Sequence, residues 1–148
     1  MVHDQKENYS SKSVRLENGI FLISSKGPRL SRNHIKSLYE EWLLDKARST
    51  FEQKTMACCM ELGIRPPKVI IKNLKNRWGS ATKDNIINLN VNLLKAPDNI
   101  IEYIILHELC HLKIKEHSHH FWNLLHKFMP DYKEKVDWLK VNGPSVLM

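Results

Sequence analysis

Residues 100–112 read IIEYIILHELCHL. The run opens after Ala96-Pro97-Asp98-Asn99, where a proline suits a first helical position and Asn99 with Glu102 can close a capping box, so a helix is predicted from there to about Leu112. Positions four apart on a helix stand one above the other. His107 and His111 can therefore reach one metal ion at ~2.0–2.1 Å, with Glu108 beside a water in the open coordination position. Zinc lowers the pKa of such a water to roughly 7, and a neighbouring carboxylate can take its proton and pass it to a leaving group. With 8 His and 10 Glu in 148 residues, chance alone places the three residues at this spacing in roughly 3% of such chains. A chance pair on a surface helix also leaves the apolar stretch before it unexplained, because the histidines extend the inward stripe of Ile100 and Ile104.

Two histidines leave a catalytic zinc one protein ligand short. His117, His119, His120 and His126 are candidates, as are Glu116, Asp131 and Glu134. His117 follows His111 by six residues, which a continuous helix would rotate far from the first pair. It qualifies only if the chain turns between Leu112 and His117.

Working outward, Asn18-Gly19 between two apolar runs predicts a β-hairpin over 14–24. Ile35, Leu38, Tyr39, Trp42, Leu43, Lys46 and Ala47 keep the three-and-four spacing of one helix face, predicting a long amphipathic helix over 31–62 that ends at Gly63. Strands are predicted at KVIIKNL (68–74) and NIINLNVNLL (85–94), flanking RWGS at 77–80. In the second, Ile87, Leu89 and Val91 alternate with Asn88, Asn90 and Asn92. Short helices are predicted over 119–128 and 131–141, the last before Gly143-Pro144. This order of elements is that of an α+β fold with helices packed on one side of a small sheet.

A chain of 148 residues, 42% hydrophobic and 26% charged, can bury a core, which excludes a disordered or fibrous protein. No apolar run approaches the 18 or more residues of a membrane span, and the polar start MVHDQKENYSSKS has no signal-peptide core, so a cytoplasmic protein is expected. Three cysteines without an even, spaced framework agree with that compartment. Residues 25–77 carry twelve Lys and Arg against five acidic residues, which equals the whole net charge of +7. This segment can attract an acidic protein or a nucleic acid, though a solvated helix face carries charge in the same way.

The motifs together make a resemblance. From about residue 31 to 143 the chain resembles the YgjP-like metallopeptidase-domain family, small zincin-type metal-dependent hydrolases related in motif to SprT-like peptidases. The resemblance rests on Arg77-Trp78-Gly79-Ser80, on NIINLN at 85–90, on HELCHL at 107–112, on His117-Ser118 with Phe121-Trp122, and on Pro130-Asp131-Tyr132 with Trp138-Leu139. It implies one zinc per chain held by His107, His111 and His117, and a catalytic glutamate at Glu108. It divides the chain into a polar tail with a short hairpin (1–30) and a zincin-like hydrolase domain (31–148). Ala81 stands where the family usually has Cys, Glu116 where it commonly has Asn, and the family's β-rich N-terminal region is reduced.

The function expected first is peptide or protein hydrolysis, with the substrate extended beside the outer edge of the strand at 85–94. A nucleoside triphosphate pyrophosphatase acting on UTP is the alternative that the family suggests. A non-catalytic, zinc-stabilised module that binds nucleic acid or protein is a third reading. Arg77 is a candidate for substrate carboxylate or phosphate, or for stacking on Trp78, and Tyr132 for hydrogen bonding to an oxyanion. Trp78, Phe121, Trp122 and Cys110 are read as core.

Overall fold

The computed structural model describes residues 12–17, 20–25 and 31–147, with side chains over 31–144. The chain forms two compact units, Met1–Lys46 and Ala47–Met148. In the first, β1 (Lys12–Glu17) and β2 (Ile20–Ser25) pair antiparallel from Glu17 opposite Ile20. The expected Asn18-Gly19 turn between them lies outside the described residues. Helix α1 (Arg32–Leu62) starts at Ser31, whose Oγ accepts from the amide of His34 at 3.1 Å, and Tyr39 stacks on Trp42 one turn later.

The second unit holds the rest of α1, where Ala47, Phe51, Thr55, Cys59 and Leu62 form the buried stripe. As expected, α1 ends at Gly63. That residue takes a left-handed φ of 69°, and the amide of Ile64 donates back to the carbonyl of Cys59 at 3.1 Å. The sheet follows in the order β3 (Lys68–Lys72), β5 (Ile86–Asn90), β4 (Gly79–Ala81). β3 runs parallel and β4 antiparallel to β5. Two expectations change here. RWGS contains a strand of its own, and the strand expected over 85–94 stops at Asn90 and continues as a 3-10 helix, Val91–Lys95. Because β5 is paired on both sides, β4 is the edge strand next to α2, with its outer side unpaired among the described residues.

Helix α2 (Asp98–Lys113) is buried over almost its whole length and packs against β4, β5, α3 (His119–Phe128) and α4 (Tyr132–Leu147). The expected capping box is absent: Pro97 is the N-cap, Asn99 lies within the first turn, and no side chain caps the end. α4 also runs past Gly143-Pro144 instead of stopping before it. Pro144 falls in its last turn, where only one helical bond is lost, and Gly143 lets that turn lie against Trp78, whose Cζ2 would be 3.4 Å from a Cβ. Among the described residues no helix is long and apolar enough to cross a membrane. The architecture is α+β, as expected.

Candidate metal centre and its cleft

The apolar stripe of α2 turns His107, Glu108 and His111 toward the interior, with Glu108 buried and the two histidines half-buried. α2 stops at Lys113, the chain reverses through Ile114–His117, and α3 begins after Ser118. That reversal brings His117 back over the helix. Its Nε2 lies 2.9 Å from Nε2 of His111 and 3.4 Å from Nε2 of His107. Three nitrogens at ~2.0–2.1 Å from one ion, on tetrahedral corners, stand about 3.3 Å apart, so the set fits a single tetrahedral metal.

The other ring nitrogens fix which atoms face inward. Nδ1 of His111 donates to the carbonyl of Ile114 at 3.1 Å, leaving the Nε2 lone pair of the neutral ring aimed at His117. Nδ1 of His107 faces the hydroxyl of Tyr103, one turn back, at 3.4 Å. Burial first, then the nearby His111 and His117, pushes His107 down to about 4, and burial also lowers His111. Both rings are therefore held in the neutral form that metal ligation needs.

Aromatic residues of α3 back this cluster. Phe121, fully buried, stacks on His111 with centroids 4.3 Å apart, and Trp122 stacks on His117 at 5.7 Å. The other candidate ligands go elsewhere: His119 and His120 are exposed against each other, His126 meets the edge of Tyr132, and Asp131 pairs with Lys135. Glu116 and Glu134 are exposed. Among the described residues, His107, His111 and His117 form the single group able to hold a metal ion.

Glu108 lies at the base of a cleft of about 950 Å³ lined by the three histidines, Arg77 and the β4 edge. Burial pushes its carboxyl up to about 7 against the opposing charge of Arg77. Tyr132 stacks on Trp122 at 5.4 Å and is not among the residues lining the cleft. Cys110 is fully buried, its thiol pushed up to about 11 by that burial, and packs as a small apolar group.

Sequence reasoning missed Asn90, which alternation assigned to the polar side of a strand. It is fully buried. Its Nδ2 donates to the carbonyls of Leu74 and Arg77 at 2.7 and 3.0 Å, and its Oδ1 accepts from the amide of Asn92 at 2.9 Å. The side chain thereby ties down the loop that carries Arg77. An asparagine in a strand that ends in a turn was the available signal, because its amide can satisfy main-chain groups that the ladder leaves unpaired.

The family model described as YgjP-like, metallopeptidase domain, matches residues 2–142. Among solved structures, the metallopeptidase zymogen abylysin of Pyrococcus abyssi is similar at 31% identity and a TM-score of 0.57, over 62% of this chain and 93% of that one. The metallopeptidase zymogen jannalysin of Methanocaldococcus jannaschii is similar at 25% identity and a TM-score of 0.54, over 66% and 97%. No curated protein matches the chain.

Proposed function

The chain belongs to the YgjP-like metallopeptidase-domain family, which makes it a metal-dependent, peptidase-like hydrolase, and on that premise we propose that it is a zinc peptidase with Glu108 as its general base. His107, His111 and His117 would hold one zinc per chain. The observation that carries this reading is the convergence of three Nε2 atoms beside a buried carboxyl at the base of an open cleft. Two or more neutral imidazoles whose lone pairs meet within 3.5 Å repel unless a cation lies between them.

Zinc in such a site supplies a Lewis-acidic centre that polarises a carbonyl and acidifies a water. The protein's own part is proton handling and orientation. Glu108 can accept a proton from the attacking water at its carboxylate and return it to the leaving nitrogen. Ile114 and Tyr103 hold the two helical histidines in one orientation. The edge of β4, unpaired among the described residues, offers main-chain donors and acceptors along the cleft wall.

The phosphoanhydride reading, UTP hydrolysis, draws support from Arg77 at the cleft, since a guanidinium fork suits phosphate as well as carboxylate. The purely structural reading draws none from the cluster, which has no fourth protein ligand among the described residues.

The test is metal analysis with a panel of proteins, peptides and UTP. We expect about one zinc per chain, lost in His117→Ala. We expect peptide turnover that falls ~10²–10⁴-fold in Glu108→Gln while zinc and fold persist. Zinc-loaded wild-type protein that cleaves no member of a broad peptide and protein set would refute the peptidase assignment, and turnover of UTP alone would establish the alternative.

A further inference from the structure

Among the described residues, the mouth of the cleft carries one sign of charge. Arg77, Lys83 and Lys115 all line it and are exposed, whereas Glu108 at the base is the one acidic side chain among the described residues that line it. The three cations come from separate elements: the loop before β4, the β4–β5 turn, and the segment after α2. Asp84 and Glu116, their immediate neighbours in sequence, are exposed but do not line the cleft. Among the described residues none of the three cations has an ion-pair partner. Unpaired charges of one sign that converge on a concave, partly apolar space have their field focused into it.

We infer that the cleft selects peptide segments carrying acidic side chains on the residues that flank the cleaved bond. This rests on the peptidase reading above. A peptide backbone is neutral, so the cationic mouth acts on side chains. Arg77 lines the same cleft as Glu108, so its guanidinium serves a carboxylate near the reacting bond. Lys83, four residues along the hairpin from Gly79, and Lys115, past the end of α2, serve carboxylates further along the chain. A nucleotide fits the same charge less well. Among the described residues no Phe, Tyr or Trp lines the cleft, and the imidazoles that do are the ones the metal would engage, so a base would find no free aromatic side chain on which to stack.

The experiment uses labelled peptides of equal length and common centre, flanked by Glu, Gln or Lys. Binding is read by fluorescence anisotropy on zinc-loaded Glu108→Gln protein, and cleavage on the wild type. Glu-flanked peptides should bind about tenfold or more tighter than Gln-flanked ones, an advantage that shrinks in ~0.5 M salt. The double variant Lys83→Glu/Lys115→Glu should keep its zinc and transfer the preference to Lys-flanked peptides. Equal binding of the three sets, a preference unchanged in the double variant, or tighter binding of UTP than of any acidic peptide would overturn the inference. Charge-selective binding with no cleavage by the wild type sustains the cleft's selectivity for acidic segments and removes the peptidase reading. Cleavage of all three sets at equal rates does the reverse.

Discussion

A Cβ placed on Gly79 would stand 3.2 Å from Cγ of Glu108 and 2.8 Å from the carbonyl oxygen of Asn88. Strand β4 therefore lies close on α2 and against β5 at a distance that only glycine permits, and Glu108 and the β4 edge line the same cleft. Gly79→Ala must move the backbone, since the closest obstacle is a carbonyl and not the end of a flexible side chain. We expect a loss of about 1–3 kcal/mol in urea unfolding, together with a drop in turnover larger than the change in zinc affinity. Unaltered turnover would show that the spacing of β4 from Glu108 does not matter to the chemistry.

Asn90 satisfies three main-chain groups from a position with no solvent exposure. Its replacement by Ala leaves two carbonyls and one amide without partners, which should cost about 2–4 kcal/mol. The loop holding Arg77 loosens at the same time, so KM for an acidic peptide should rise more than kcat falls. Asn92→Ala is the control, because among the described residues the Asn92 side chain hydrogen-bonds only that of Asn73, at the 3.5 Å limit.

Metal-stripped protein should show two opposing pH dependences. Glu108 is raised from 4.5 to about 7 by burial, so between those values the unfolded chain is ionised there and the folded one is not; stability is lost as pH rises through that window. His107 is lowered from 6.5 to about 4 by burial and by the neighbouring histidines, so its contribution grows as pH rises from about 4 to 6.5. These two nearly offset each other in wild type, and His111, which burial also lowers, adds to the histidine side. In Glu108→Gln only the histidine dependence remains, and stability should climb from pH 4.5 to 6.5. At pH 7 and above the variant should exceed stripped wild type by on the order of 3 kcal/mol. Parallel pH profiles for the two proteins, from urea titrations, would contradict the burial assigned to Glu108.

Thr55 sits in the buried stripe of α1 with its hydroxyl unpartnered. Valine keeps the shape and the β-branch while removing the unsatisfied oxygen, so Thr55→Val should raise stability by about 1 kcal/mol. Thermal unfolding reads this directly. A decrease would mean that the hydroxyl has a partner, such as a buried water.

What the chain determines by itself is what local spacing can encode. The three-and-four repeat of Ile35, Leu38, Tyr39, Trp42, Leu43, Lys46 and Ala47, ended by Gly63, specified α1 to within a residue. The run from Ile100 to Leu112 specified a helix whose buried stripe carries His107 and His111, because side chains four apart stand on one face whatever surrounds them. The boundaries that failed were those set by neighbours distant in sequence. β4 is a strand because β5 pairs with it, Asn90 is buried because the loop at 74–77 needs its amide, and α4 continues through Gly143 where Trp78 receives it. The third histidine shows the division most clearly. Local spacing could say only that the chain must turn after Leu112 for His117 to qualify. That it does turn, and brings Nε2 of His117 to 2.9 Å from that of His111, is decided by α3 packing Phe121 and Trp122 against the histidines of α2. Packing between separate helices depends on the whole arrangement of the core, which no local repeat contains.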